Sequence, residues 1–131
     1  FDDGLYTGAR LLEILSKVQN PSATLDGLPD AVCTPELHIH TAEGENHALL
    51  AQLQKTAQFT DAPMFANARE IITLDGLRVE YADGFGLARP SNTTPVIVLR
   101  FEADSESGLQ RIQNDFRRIF QQAAPHLQLP F

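Results

Sequence analysis

The chain has 131 residues, of which 43% are hydrophobic and 21% are charged, a composition that excludes a disordered or fibrous protein. No apolar run approaches the roughly 20 residues that a membrane-spanning helix needs. Acidic residues outnumber basic ones by 17 to 10, giving a formal net charge of −7. We therefore expect neither a nucleic acid nor a membrane as partner, because both attract basic surfaces.

The first predicted element is an amphipathic helix over residues 5–19, with two aspartates ahead of it that suit an N-terminal cap. The proline at position 21 ends it. Because the chain begins without an initiator methionine, we expect a piece of a longer protein, in which residues 1–20 close a preceding domain. Residues 21–35 contain three prolines and no hydrophobic period, which predicts an extended linker and a possible hinge.

Residues 36–131 are predicted to form one domain. Its first half contains a strand (36–41), a helix (45–57) and a loop (58–69). Two strands follow (71–74 and 77–81), joined by a two-residue Asp75-Gly76 turn. Its second half contains a short strand (85–89), a polar loop (89–95) and a central strand buried on both faces (96–103). The last predicted element is a helix (105–124) capped at residue 104 or 105. We predict an antiparallel sheet with two helices on one face, which is an α+β fold.

The polar loop before the central strand is the most informative segment. It offers one guanidinium, one carboxamide and three hydroxyl groups, from Arg89, Asn92, Ser91, Thr93 and Thr94. This set suits a phosphate, whose oxygens accept charge-assisted and neutral hydrogen bonds from several directions. Composition alone leaves an alternative open, in which these side chains satisfy their own backbone as Asx and Ser/Thr turns.

Other candidate residues predict little chemistry. His38 and His40 share one strand face and could share a metal, but no third ligand stands in a matching pattern, so we expect two exposed histidines and no metal site. Cys33 lies in the predicted linker without an identifiable base, so we expect no nucleophile there. No zinc motif, glycine-rich phosphate motif or nucleophile elbow is present, and we expect no catalytic residue in this chain.

Several segments together resemble the α-D-phosphohexomutases, in particular the bacterial phosphomannomutase/phosphoglucomutase branch. They are the opening Asp-Asp-Gly-Leu-Tyr, residues 75–79, residues 84–103 with their Arg-x-Ser-Asn-Thr-x-Pro loop, and the ending Leu-Pro-Phe. The resemblance implies the fourth and last domain of such an enzyme, with a TATA-binding-protein-like fold, preceded by the last helix of the third domain. Pro90 departs from many relatives, in which Ala or Val is common, but no contact residue is lost.

The resemblance also implies a function for the parent protein. It would be a cytoplasmic, monomeric isomerase of carbohydrate metabolism that moves phosphate between C1 and C6 of a hexose phosphate through a bisphosphorylated sugar. Magnesium and glucose 1,6-bisphosphate would act with the other three domains, and this chain alone would bind neither and be inactive. Here Arg89, Ser91, Asn92 and Thr93 would bind the phosphate that is not transferred. The alternative is a free-standing regulatory module for a small ligand, which would not need the Arg89 loop.

Overall fold

The computed structural model describes residues 2–59, 65 and 67–131. The chain divides into two compact units at the boundary between Asp30 and Ala31. Within the described residues, no helix combines the length and the apolar character needed to cross a membrane.

The first unit contains two helices, α1 (Gly4–Ser16) and α2 (Pro21–Asp26). The predicted cap of α1 is present, because the side chain of Asp3 accepts a hydrogen bond from the backbone N–H of Tyr6 at 2.8 Å. None of the α1 residues is buried. The apolar stripe of this helix therefore faces solvent, through Leu5, Tyr6, Leu11, Leu12 and Ile14.

Helix α2 corrects the extended conformation predicted for residues 21–35. Asn20 caps this helix, since its side chain accepts a hydrogen bond from the Ala23 N–H at 3.1 Å. Pro21 occupies the first turn, where its missing N–H costs nothing. The Asn-Pro pair thus starts one helix as well as following another. The role of residues 21–35 as a hinge stays a prediction.

Within the part of the chain that the structure describes, the second unit forms a six-stranded antiparallel sheet with two helices. The elements are β1 (Val32–Cys33), β2 (Leu37–His40), α3 (Glu45–Phe59), β3 (Glu70–Ile72), β4 (Leu77–Tyr81), β5 (Gly84–Pro90), β6 (Val96–Ala103) and α4 (Glu106–Ala123). Strand β6 is central: β1 and β2 follow one another along one edge, and β5, β4 and β3 extend from the other. The predicted α+β fold is confirmed.

The core lies on one face of this sheet. Ile97, Leu99 and Phe101 of β6 are fully buried there, and α3 and α4 pack over them in the same cluster. On the opposite face Val98 is also buried, but Arg100 is exposed. Burial of β6 on both faces is therefore confirmed for its first half and wrong beyond it.

The hairpin between β3 and β4 has a different register from the predicted one. A two-residue turn at Asp75-Gly76 would pair Leu74 with Leu77, whereas the structure pairs Ile72 with Arg78. The turn is one residue wider, and Gly76 takes a φ of +114°. A side chain distant in sequence stabilises this turn, because the Gln54 amide of α3 donates to the carbonyl oxygens of Thr73 and Gly76 at 3.2 and 2.6 Å.

Of the loop predicted over 58–69, residues 60–64 and 66 lie outside the described residues, and 58 and 59 belong to α3.

Candidate functional site

The polar loop between β5 and β6 is shorter than the sequence indicated. Arg89, where the predicted strand met the predicted loop, pairs with Val98, and Pro90, predicted to lie in the loop, pairs with Ile97, so both residues belong to β5. The connection itself consists of residues 91–95, and the Ser91 N–H closes it by donating to the Val96 carbonyl at 3.0 Å. The guanidinium of Arg89 is consequently attached to a strand, next to a short loop.

Ser91 organises this loop from within. Its Oγ accepts from the backbone N–H groups of Thr93 and Thr94 at 3.3 Å each, and it lies 3.3 and 3.1 Å from their hydroxyl oxygens. This is the Ser/Thr turn that composition left open as an alternative. The two N–H contacts are longer than ordinary N–H···O bonds, so a charged oxygen would compete well for these donors.

The four predicted phosphate contacts all lie at or near the surface. Arg89 has a 49% exposed side chain, and its guanidinium lies 4.0 Å from the carboxylate of Asp75, which is itself 81% exposed. An ion pair with such exposed side chains and such a long distance contributes little to the stability of the fold. The Arg89 guanidinium can therefore take a further anionic partner at low cost.

Three of these four residues share one groove. Arg89, Ser91 and Thr93 line a depression of about 600 Å³ on the open face of the sheet, together with His38 and His40 of β2. Asn92 instead lines a smaller cleft of about 120 Å³ between the loop and the start of α3, which Ser91 and Thr93 also border. The loop therefore presents donors to two adjoining hollows.

Arg78 and Arg100 extend the basic surface beyond Arg89. All three arginines line a second groove of about 500 Å³ on the open face, on neighbouring strands β4, β5 and β6. Arg78 lies 3.7 Å above the ring of Phe85 and 2.5 Å from a carboxylate oxygen of Glu80. Only the strand order shows that Arg78 lies beside Arg89 and Arg100.

The histidines and the cysteine occupy the same open side of the second unit. His38 and His40 are exposed as predicted, and Nε2 of His38 lies 2.9 Å from a carboxylate oxygen of Glu36. Cys33 belongs to β1 and not to the predicted linker; it is exposed, with its Sγ 4.0 Å from the guanidinium of Arg100. Across the described residues, no group of three His, Cys, Asp or Glu side chains could hold a metal ion.

Sequence reasoning missed Asn46. This residue lies in the first turn of α3, is only 2% exposed, and donates its side-chain amide to the carbonyl oxygens of Ser91, Thr94 and Val96 at 3.0, 3.4 and 3.2 Å. The partners are 45 to 50 residues apart along the chain. No local pattern indicates such a contact, which only the fold creates.

Glu45, the neighbour of Asn46, holds the segment that leads into α3. Its carboxylate accepts a hydrogen bond from the Ala42 N–H at 2.8 Å and lies 2.6 Å from Nε2 of His126. The backbone hydrogen bond, and after it the hydrogen bond with His126, lower the pKa of Glu45. The start of α3 is thus fixed from both the loop before it and the C-terminal tail.

Known proteins are similar to this chain in both sequence and fold. Residues 36–119 match the family described as phosphoglucomutase/phosphomannomutase, C-terminal domain. The chain is 55% identical over 131 residues to a phosphoglucomutase of Neisseria gonorrhoeae, covering 99% of the chain and 27% of that protein. It is 46% identical over 132 residues to a phosphomannomutase/phosphoglucomutase of Pseudomonas aeruginosa, covering 100% of the chain and 27% of that protein.

A solved structure agrees with these relatives. The X-ray structure of a phosphoglucomutase/phosphomannomutase family protein from Burkholderia thailandensis superposes with a TM-score of 0.82 at 58% identity, covering 100% of this chain and 26% of that one. The chain thus spans about a quarter of the length of the proteins that it matches. As the resemblance indicated, it belongs to the phosphoglucomutase/phosphomannomutase C-terminal domain family.

Proposed function

We propose that this chain is the substrate-binding domain of a phosphohexomutase and that the loop after β5 binds the phosphate of the sugar that is not transferred. One observation carries the proposal: Arg89, Ser91 and Thr93 line the same groove, and the guanidinium of Arg89 has only a 4.0 Å contact with the exposed Asp75. A fixed cation beside hydroxyl and backbone donors is the arrangement that a phosphate group needs.

Electrostatics favour this location within an acidic chain. The net charge of −7 repels a phosphosugar at long range, so binding requires a locally basic surface. The open face supplies one, because Arg78, Arg89 and Arg100 line a common groove there and outnumber its two acidic residues, Glu36 and Asp75. Arginine suits the task, since its planar guanidinium can donate two parallel hydrogen bonds to one phosphate.

Binding of phosphate would rearrange the loop only locally. The N–H groups of Thr93 and Thr94 donate weakly to Ser91 Oγ, at 3.3 Å each, and can turn to a phosphate oxygen without breaking a strong bond. The hydroxyl of Ser91 would then be free to donate as well. Arg89 would supply the charge, and Asn92 and Thr93 would complete the site from the loop.

The domain contributes to the reaction by positioning the sugar. In the parent enzyme, phosphate would move between C1 and C6 of a hexose phosphate through a bisphosphorylated sugar. Binding of the remote phosphate orients the reacting end, and such binding energy lowers the barrier by fixing geometry. We propose that the magnesium ion that the family implies is held by other domains of the parent enzyme, so that this domain acts on the sugar phosphate alone.

An NMR titration of this chain with glucose 1-phosphate tests the proposal. We expect the backbone amides of residue 89 and residues 91–94 to shift with a dissociation constant on the order of millimolar, because the domain supplies only one wall of the site. Glucose, which lacks the phosphate, is the matched ligand control and should leave these amides in place. Shifts confined to another surface would show that the phosphate binds elsewhere.

A second assay addresses the division of labour between domains. With glucose 1-phosphate and magnesium, the purified chain should form no glucose 6-phosphate, because we find no nucleophile or metal loop in its sequence. Turnover above the background rate would contradict the assignment of this chain as a binding domain.

A further inference from the structure

We infer that Asn46 is a positioning residue that fixes the conformation of the phosphate loop and thereby its affinity for phosphate; the inference rests on the proposed function. Asn46 does not face the open groove. It is 2% exposed and lies behind the loop, where its amide nitrogen contacts the carbonyl oxygens of Ser91, Thr94 and Val96 at 3.0, 3.4 and 3.2 Å.

Both the nitrogen and the oxygen of the Asn46 amide have hydrogen-bond partners. An amide nitrogen carries two N–H groups, which the three carbonyl acceptors share. The side-chain atom that faces these three carbonyl oxygens must be a donor, so it is the nitrogen of the Asn46 amide and not its oxygen. The amide oxygen has its own partner, because it accepts from the N–H of His47 at 2.9 Å. The side chain therefore has one orientation, which holds both ends of the loop against the first turn of α3.

Thr41 holds a fourth carbonyl of the same segment. Its backbone N–H and its hydroxyl both donate to the carbonyl oxygen of Pro95, at 2.9 Å each. Together, Asn46 and Thr41 thus engage four carbonyl oxygens between residues 91 and 96. A carbonyl oxygen carries partial negative charge and would repel a phosphate, so engaging these groups at the back leaves the donors for the groove.

This arrangement fixes most of the loop backbone before the ligand arrives, so that binding needs only the local turn of the Thr93 and Thr94 N–H groups. A loop that is already ordered loses less entropy on binding, which raises affinity without adding a contact to the ligand. Asn46 therefore affects phosphate affinity through the loop, and not by touching the sugar phosphate. A purely structural role would predict that its loss lowers stability without changing the phosphate affinity of the folded protein.

Asn46→Asp is the sharpest variant, because it keeps the shape but replaces the donor with a carboxylate that faces three carbonyl oxygens. Gln54→Glu is its matched control: the same helix, the same change of amide to carboxylate, and carbonyl partners in the β3–β4 turn instead of the phosphate loop. We expect Asn46→Asp to weaken binding of glucose 1-phosphate by at least about tenfold, equivalent to about 1.4 kcal/mol, and Gln54→Glu to change it by less than about twofold.

The experiment is an NMR titration of wild type and both variants at a temperature at which all are folded. Without ligand, hydrogen exchange of the Ser91 amide should be faster in Asn46→Asp than in Gln54→Glu, because Asn46 holds the carbonyl groups that flank the Ser91–Val96 bond. If Asn46→Asp does not fold, Asn46→Ser keeps one short donor and should give a smaller loss of affinity in the same direction.

The outcomes separate the inference from the proposed function. Unchanged affinity in Asn46→Asp, or an equal loss in Gln54→Glu, would overturn the role of Asn46 while leaving the phosphate site in place. Failure of the wild-type loop amides to respond to glucose 1-phosphate would overturn the proposed function and the binding role of Asn46 with it. A loss confined to Asn46 variants would support both.

Discussion

Replacement of Arg89 by alanine separates binding from stability in the proposed site. Among the described residues the guanidinium has one anionic neighbour, 4.0 Å away on an 81% exposed side chain, so the substitution should change the free energy of unfolding by less than about 0.5 kcal/mol. Hydrogen bonds to a charged partner contribute about 1.5–3 kcal/mol to binding, which corresponds to about 10- to 150-fold in affinity. Since about half of the Arg89 side chain remains in water, we expect the lower part of this range, about 10- to 30-fold.

Arg100→Ala is the matched control for this substitution. Arg100 is exposed, lines the same basic groove and loses the same charge, but it lies on β6 and does not border the groove with the loop hydroxyls. In titrations with glucose 1-phosphate at about 0.15 M salt, where long-range fields are screened, we expect Arg100→Ala to weaken binding by less than about threefold. In the parent enzyme, Arg89→Ala should raise KM strongly and also lower kcat, because a loosely held sugar is misaligned.

Two results would refute this reasoning. Equal losses in Arg89→Ala and Arg100→Ala would mean that the basic face attracts phosphate without a specific site. Unchanged affinity in Arg89→Ala, with the protein still folded, would remove Arg89 from the site altogether.

Three further predictions concern the rest of the chain. Gly86→Ala should lower the free energy of unfolding by at least about 1–3 kcal/mol, because the new Cβ would lie 2.3 Å from a ring carbon of the buried Phe116. An unchanged midpoint of urea unfolding would contradict this packing. Burial and then the Asp115 carboxylate raise the pKa of Tyr81 well above its ordinary value of 10.0, so the unfolded chain loses this proton at a lower pH than the folded chain, and stability should fall as pH rises above about 10. In urea unfolding, the stability of Tyr81→Phe should depend less steeply on pH in this range, and an identical slope would exclude Tyr81 as the cause. If residues 21–35 are a hinge, amide exchange should be faster over 22–30 than in β6 of the parent enzyme, and strong protection there would remove the hinge.

The elements that the sequence predicted well are those whose signal is local. Leu109, Ile112, Phe116 and Ile119 of α4 are buried, as expected of apolar residues three or four positions apart in a helix, and Ser105, one of the two predicted caps, accepts from the Gly108 N–H at 3.2 Å. The alternation in β4 likewise places Leu77, Val79 and Tyr81 in the core. In each case one helix or strand pattern, with its own cap or turn, determines the outcome.

The errors arise where distant parts of the chain decide the local structure. The β3–β4 hairpin has the Asp-Gly pair expected of a tight turn, yet Gln54 of α3 reaches its carbonyl oxygens and the turn is one residue wider. The prolines predict a loop at Pro90 and the boundary between strand and loop at Arg89, yet their partners on β6 continue the strand through both residues. Propensity is a weak guide where tertiary contacts compete with it.

The candidate site divides in the same way. The donors of the loop, Arg89 through Thr93, follow one another in the sequence, so composition and resemblance were sufficient to predict them as a group. Arg78 and Arg100 required the order of the strands, since each belongs to a different strand from Arg89. Asn46 required the packing of α3 behind the loop, and a buried asparagine in a helix carries no signal of its partners.

Helix α3 explains how the stability of the domain and the geometry of its phosphate loop can be changed separately. Asn46 and Gln54 are eight residues apart, which places both amides on one side of the helix, facing the sheet connections. Each donates to carbonyl oxygens of a different turn, one carrying the phosphate donors and one not. Loss of either amide removes hydrogen bonds to carbonyl groups and lowers stability, but only loss of Asn46 would release the loop that carries the proposed phosphate donors. In the proposed site, Arg89 at the end of β5 would supply the charge, and Asn46 and Thr41 would already hold the carbonyl groups of the loop away from the anion.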